Sequence, residues 1–240
     1  MSAPILEIAA NSVASALAAE AGGAARVELC SALEVGGLTP SHAAIAIAVE
    51  RLRIPVHVLI RPRAGDFVYD DLECEVMRRD IDACKALGCA GVVIGALTPV
   101  GDVDTPRCRG LMEAAHGLSA TFHRAFDFVR DPGNTLEAVI ALGCDRLLTS
   151  GQAADALTGA PLIRKLVEQA RGRITIMPGG GITAQNIAAI AHATGAHEFH
   201  ASAKVHVADR MHHAGIGEMG GGDWQTDASE VRARLEALCG

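Results

Sequence analysis

Eight short runs of strand-forming residues, separated by stretches long enough to be helices, constrain this chain more than any other feature. The runs are ILEIA from Ile5, RVELC from Arg26, PVHVLIRP from Pro55, GVVIGAL from Gly91, SATFHRAF from Ser119, RLLTS from Arg146, ITIMP from Ile174 and HEFHAS from His197. They recur roughly every two to three dozen residues, the spacing of a strand–helix unit. The stretches between them carry helix punctuation. Ser12 and Ser41 are placed to cap helix N-termini, and Thr105 followed by Pro106 reads as N-cap and first helical residue. Asp131–Pro132 and Thr183 repeat that signal, while Gly88 and Gly143 sit where helices should stop. Eight such units with no linker among 240 residues predict a single α/β domain, a (β/α)8 barrel of the TIM type. Its core is expected over about residues 4–204, followed by a Gly/His-rich loop and a last helix near Ala228–Leu238.

Composition narrows the functional classes. Half of the residues are hydrophobic but only 3% are aromatic, so the core must be built from Ala, Val, Leu and Ile, as suits helices packed on a buried parallel sheet. The net charge is -7 and the lysines are Lys85, Lys165 and Lys204 alone, without a basic cluster interleaved with aromatics, which argues against nucleic acid as a partner. No apolar run reaches 18 residues, so no membrane span is expected. The start MSAPILEIAANS enters a strand directly and has no signal-peptide pattern. Seven cysteines, an odd number with no CxxC pair, favour neither a disulfide framework nor a zinc knuckle, and the expected compartment is the reducing cytoplasm. The stretch 205–227 reads as a long loop; its GIGEMG (Gly215 to Gly220) matches a dinucleotide-binding pattern but lacks the preceding strand, so no nucleotide cofactor is expected.

Side chains alternate along a strand, which divides each run into a helix-facing and a lumen-facing set. Leu6, Ile8, Val27, Leu29, Val56, Val58, Ile60, Phe122, Phe126 and Phe199 make the apolar outer set. The lumen then receives Glu7, Arg26, Glu28, Cys30, His57, Leu59, Arg61, Thr121, His123, Glu198, His200 and Ser202. Any single buried polar group could belong to a satisfied internal network. A set of three carboxylates, two arginines and three histidines in one lumen is costly to desolvate and is what acid–base chemistry requires. Glu7, Glu28, His57, Arg61, His123 and His200 are therefore the candidate catalytic residues.

Two loops add anion-binding signals. MPGGGIT (Met177 to Thr183) and HASAK (His200 to Lys204) follow strands 7 and 8, where barrels of this type commonly hold phosphate. Gly179, Gly180, Gly181, Ser202 and Ala203 are the candidate donors, with a tight turn that merely needs glycine as the alternative. The loop RPRAGDF offers Arg61 and Arg63, either to an anionic substrate or to Asp66 and Asp127. No lysine falls at a lumen-facing strand position, which disfavours Schiff-base chemistry.

The motifs RVELCSALEVGGLTPS, IPVHVLIRPRAGDFVYDD, TFHRAFD, LLTSGQ and MPGGGIT…EFHASAK, in that order from about Leu6 to Lys204, closely resemble the CutC family of copper-homeostasis proteins. The resemblance implies a barrel fold, a cytoplasmic location, homo-oligomerisation as a dimer or larger, and a role in copper handling. Cu(I) prefers thiolate or thioether ligands, which makes Cys30 the candidate metal ligand, with Met177 as a possible second donor. Many relatives carry cysteine just after the first strand, where this chain has Ala9 and Ala10. Met211, His212, His213 and Met219, with His206 nearby, form a second candidate cluster; a small buried cysteine and a solvated tail are the alternative. Three readings stand: a copper-homeostasis protein that binds Cu(I); an isomerase- or lyase-type enzyme acting on a small phosphorylated or anionic substrate; and, last, a non-catalytic scaffold.

Overall fold

In a computed structural model, which describes residues 4–211 and 222–239, the chain forms the expected barrel. Its strands are β1 (Ile5–Ala10), β2 (Arg26–Leu29), β3 (Val56–Leu59), β4 (Gly91–Ile94), β5 (Ser119–Phe122), β6 (Arg146–Thr149), β7 (Thr175–Pro178) and β8 (Glu198–Ala201). The helices between them are α1 (Val13–Ala21), α2 (His42–Arg51), α3 (Asp71–Leu87), α4 (Thr105–Ala114), α5 (Pro132–Ala141), α6 (Ala160–Ala170) and α7 (Ile187–Thr194). All eight strands are parallel and lie in the order β7-β6-β5-β4-β3-β2-β1-β8. An isolated parallel bridge between Gly179 and His200 links the two ends, so the barrel is nearly closed.

The outer set of strand side chains packs against the helices as the alternation predicts. Leu6, Ile8, Val27, Leu29, Val58, Phe122, Phe126 and Phe199 are fully buried in one core cluster between barrel and helix ring. Burial of such side chains contributes roughly 1.5–3 kcal/mol each. Ser12, Ser41 and Asp131 cap α1, α2 and α5, and Gly88 ends α3 with a φ of 81°, a conformation that glycine adopts without strain. Two starts differ from expectation. Asp104, not Thr105, caps α4, because its carboxylate reaches the Arg107 N–H while Thr105 already belongs to the helix. Thr183 does not start α7; a turn intervenes, in which Asn186 Oδ1 accepts from Thr183 N–H, and the helix begins at Ile187.

The segment expected as an uninterrupted loop over 205–227 instead opens and closes with an antiparallel hairpin, β9 (Lys204–Val207) and β10 (Asp223–Thr226). His206 and Trp224 pair edge-to-face across it at 5.4 Å, a cross-strand contact that their separation in sequence conceals. The hairpin is fastened to α1, where Asn11 donates to the Trp224 carbonyl and Ser15 Oγ accepts from Thr226 N–H. The final helix α8 (Ala228–Cys239) then packs between α7 and α1 and completes the outer ring. GIGEMG, His212, His213 and Met219 lie outside the described residues. No helix among the described residues is long and apolar enough to cross a membrane.

Glycines on and just after β4 make room for the lumen. A Cβ on Gly91 would stand 2.7 Å from both the His57 ring and the Ser119 carbonyl, and one on Gly95 would stand 2.6 Å from the His123 ring. Gly91→Ala is therefore expected to lose about 1–3 kcal/mol of stability through overpacking. Urea unfolding checks this; an unchanged midpoint would mean that the His57 ring moves aside freely.

Candidate functional site

The lower part of the lumen holds an ion network built from four strands. Arg26 Nε bonds Glu7 Oε2 and Arg26 Nη2 bonds Glu198 Oε2 at 2.9 Å, while Arg146 Nε reaches the same Glu198 oxygen at 2.8 Å. Arg146 also donates to Ser119 Oγ, which donates to Asp145. Two arginines thus face two carboxylates and the charges balance, with Glu7 and Arg26 buried and Glu198 and Arg146 partly exposed. His57 sits beside this network with its Nδ1 unpartnered. Burial holds the His57 pKa down at about 4, so the ring is neutral.

Above the network Glu7 turns to a second task. Its Oε1 accepts a 2.7 Å hydrogen bond from His200 Nδ1, on the neighbouring strand β8. Burial alone would push the Glu7 pKa up, but the bond from His200 and the charge of Arg26 outweigh it and hold the carboxyl far below its usual range. Glu28, one strand further round, is the opposite case. It forms no hydrogen bond to a described residue, its Oε2 is buried and unpartnered, and burial pushes its pKa up to about 7 against the pull of His200. Burial works against a charged His200 ring, yet the charge of Glu28 and the bond to Glu7 prevail and raise its pKa. Potential ligand atoms of Glu7, Glu28 and His200 all lie within 4.8 Å of one another. Glu7 has already given one oxygen to Arg26 and the other to His200, so the pair left open to a ligand is Glu28 and the His200 Nε2.

That pair forms the floor of a cavity of about 440 Å³ at the carboxyl ends of the strands. Its walls come from residues that are far apart in sequence. Arg61 continues β3, His123 ends β5, Ser202 and Lys204 follow β8, and Arg234 reaches in from α8. The glycine loop after β7 makes another wall. Gly180 and Gly181 have φ of 102° and 67°, and among the described residues no acceptor takes the N–H of either. The Arg124 guanidinium lies against Gly180, where an added Cβ would meet its Cζ at 3.4 Å. Arg124 is held there by Asp127 at 2.7 Å and by Ser150 Oγ at 3.0 Å. Two unpaired backbone donors thus stand beside a guanidinium, groups whose chemistry suits an oxyanion.

The candidates from sequence divide by their place relative to the cavity. Glu28, Arg61, His123, His200, Gly180, Gly181 and Ser202 line the cavity; Glu7 and His57 lie beneath it. Gly179, whose N–H is taken by the Thr149 carbonyl, and Ala203, 1% exposed with a φ of 46°, shape the loops without lining it. Asp127 accepts from Arg124, Thr149 and Ser150 and positions the Arg124 side chain. Arg63 pairs with both Asp66 and Glu73 outside the cavity, so the loop arginines part company. Sequence reasoning missed Arg146, Arg124 and Arg234. Alternation within RLLTS would have placed Arg146 in the lumen with Leu148 and Ser150; nothing in sequence brings Arg234 to the opposite end of the chain.

Cys30 is 1% exposed, packed with Leu59 and Val93, and its thiol donates to the Ala10 carbonyl at 3.6 Å. Burial, with help from the charges of Glu28 and Glu34, pushes this thiol up. Met177 Sδ accepts from Arg26 Nη2 at 3.5 Å. The clustered ligand set among the described residues consists of carboxylates and an imidazole, a hard set that does not match Cu(I).

Comparison with known proteins places this geometry in a family. The model of the CutC family matches residues 4–205. A family protein CutC of Xanthomonas campestris pv. campestris (strain 8004) is 55% identical over 235 residues, covering 97% of this chain and 98% of the relative. The corresponding protein of Chromobacterium violaceum is 52% identical over 241 residues, 98% of each chain. The crystal structure of a Streptococcus agalactiae CutC, assigned provisionally to copper homeostasis, superposes with a TM-score of 0.80 at 37% identity, covering 83% of this chain and 98% of that one. With its barrel and nearly its whole length shared with these relatives, the chain belongs to the CutC family.

Proposed function

We propose that this protein is an acid–base enzyme of isomerase or lyase type that acts on a small phosphorylated substrate at the carboxyl-terminal mouth of its barrel. One observation carries the reading: a buried carboxyl group without a hydrogen-bond partner, Glu28, stands within 4.8 Å of a histidine whose other ring nitrogen is fixed by an ionised carboxylate. Burial favours the protonated carboxyl of Glu28, while the charge of Glu28 and the bond to Glu7 favour the protonated ring of His200, so the two groups compete for a proton near neutrality. A carbonyl substrate over this floor would lose a carbon-bound proton to His200 Nε2 while Glu28 gives its proton to the carbonyl oxygen. On an α-hydroxycarbonyl substrate, return of the proton from His200 to the former carbonyl carbon and loss of the neighbouring hydroxyl proton to Glu28 would complete an isomerisation. Glu7 is a positioning residue that fixes the His200 tautomer, and the Gly180–Gly181 loop with Arg124 would hold the phosphate. The buried free thiols Cys30, Cys74, Cys84, Cys89, Cys108 and Cys144 support a reducing, cytoplasmic setting.

The direct test is proton exchange. In D2O, at least one member of a panel of phosphorylated aldehydes and ketones should lose its α-proton NMR signal in the presence of protein. Glu28→Gln or His200→Asn should slow that loss about 100-fold or more. Absence of exchange across the panel would overturn the reading.

Glu28 also predicts a pH dependence of stability. Its folded pKa, about 7, lies above the ordinary 4.5, so the native state binds this proton more tightly than the unfolded chain. The resulting stability is complete below about pH 4.5 and is lost as pH rises through about 7. His57 and His123, depressed to about 4 and about 3, give stability present above about pH 6.5 and lost as pH falls through those values. Urea unfolding of wild type and Glu28→Gln isolates the carboxyl: the wild type should lose stability relative to the variant between pH 5 and pH 8. Parallel curves would show that Glu28 is ionised throughout.

Copper as cargo is the second reading, favoured by the copper-homeostasis assignment of the Streptococcus agalactiae relative and by the Cys30 thiol beside the cavity. It predicts tight Cu(I) binding by reduced, metal-free protein against a competing chelator, weakened at least tenfold in Cys30→Ser. Binding that is weak, or indifferent to Cys30, removes it.

A further inference from the structure

Arg61 is a buried cation without a counter-ion. It is 6% exposed, and its guanidinium donates from Nη1 to the carbonyls of Val35 and Gly37 at 2.8 and 2.9 Å and from Nη2 to that of Gly65 at 2.8 Å. Carbonyl dipoles hold the group in place but do not cancel its charge. The other arginines of the cavity, Arg124 and Arg234, pair with Asp127 and Glu230; among the described residues no carboxylate lies within 4 Å of Arg61. Its Nε is buried and without a partner at hydrogen-bond geometry, as is the neighbouring Tyr69 hydroxyl. An uncompensated buried charge is costly, and a ligand anion would relieve it.

A second open donor stands close by. His123 is 4% exposed, and its Nδ1 accepts from the Ala125 N–H at 3.1 Å, so the proton of the neutral ring resides on Nε2. That Nε2 is buried and unpartnered as well. Burial, with the charge of Arg61, keeps the ring neutral by lowering its pKa to about 3. Both groups flank the Phe67 ring: Arg61 Cζ lies 5.1 Å from its centroid and the His123 ring 5.0 Å. Two N–H donors on one apolar wall match the two oxygens of a carboxylate; a phosphate would leave further oxygens without donors there.

The barrel puts Arg61 opposite the glycine loop, with His123 after β5 midway between them. In the order β7-β6-β5-β4-β3-β2-β1-β8, closed by the Gly179–His200 bridge, β3 and β7 are four strands apart in either direction. A molecule reaching from Gly180 to Arg61 spans the cavity that Glu28 and His200 also line. We infer that the substrate carries two anionic groups, a phosphate at the Gly180–Gly181–Arg124 wall and a carboxylate between Arg61 and His123. The inference rests on the phosphorylated-substrate reading and supplies the second charge, which orients the substrate so that its middle carbons meet the acid–base pair.

Calorimetric titration with two matched probes tests it. Glycerol 3-phosphate carries the phosphate alone; 3-phosphoglycerate has the same phosphate and a carboxylate in place of a hydroxymethyl group. The wild type should bind 3-phosphoglycerate at least tenfold more tightly. His123→Phe keeps a ring against Phe67 but removes the donor, and should erase that preference while leaving glycerol 3-phosphate affinity within about twofold; Arg124→Gln should weaken both probes together. Arg61→Lys, which retains the charge but not the fork, should also reduce the preference, although Arg61 fastens three loop carbonyls and its folding must be checked by circular dichroism. Equal affinity for the probes in the wild type, or a preference untouched by His123→Phe, would overturn the carboxylate subsite and leave the phosphate reading standing. Binding of neither probe would overturn both.

Discussion

The buried ion network of Glu7, Arg26, Glu198 and Arg146 is the interaction on which the site depends. These residues come from β1, β2, β8 and β6, and the pairing of Arg146 with Glu198 spans β7. That is where the backbone barrel is least continuous, since β7 meets β8 through the isolated Gly179–His200 bridge. Side-chain charge thus reinforces the seam. Such pairs are expensive to desolvate and strongly destabilising to break, by about 3–5 kcal/mol when one partner is removed. A network of this kind contributes little as simple glue; its value here is that it fixes the Glu7 carboxylate as an anion, which in turn fixes His200.

Order propagates upward from that floor. With Glu7 saturated by Arg26 and His200, the His200 ring has one nitrogen tied and one free. Glu28, denied any cation within bonding range, is left to burial and acquires an affinity for its proton near neutrality. Two carboxylates one strand apart therefore behave in opposite ways, because one has an arginine and an imidazole and the other has neither.

Unsatisfied polar groups concentrate in the same place. Among the described residues the buried atoms without partners include Glu28 Oε2, His57 Nδ1, Arg61 Nε, Thr121 Oγ1 and His123 Nε2, all on side chains at lumen-facing positions. Each costs stability that an apolar residue would have kept. The helix-facing side of the same strands has no such groups and packs as Leu, Ile, Val and Phe. Local rules are obeyed where the strands pack on the helices and broken inside the lumen.

Much of this architecture is legible in the amino-acid sequence. The two-residue alternation of the strands separates Glu7, Glu28, His57, Arg61, His123 and His200 from the apolar outer set, because that period is a local property of extended backbone. Helix caps such as Ser12, Ser41 and Asp131 are local too, whereas Asp104 displaces Thr105 because its carboxylate reaches the Arg107 N–H, and a turn closed by Asn186 on the Thr183 N–H delays the start of α7. What only the tertiary structure decides is partnership. Glu7 and Glu28 look alike in sequence, as do Arg61 and Arg63, yet one of each pair is matched by opposite charge and the other is not. Arg124 at Gly180, Arg234 over Ile182 and the hairpin after β8 depend equally on barrel closure. Pattern along a strand is set by neighbours in the chain; which charge meets which is set by register and closure, and those sum over the whole barrel.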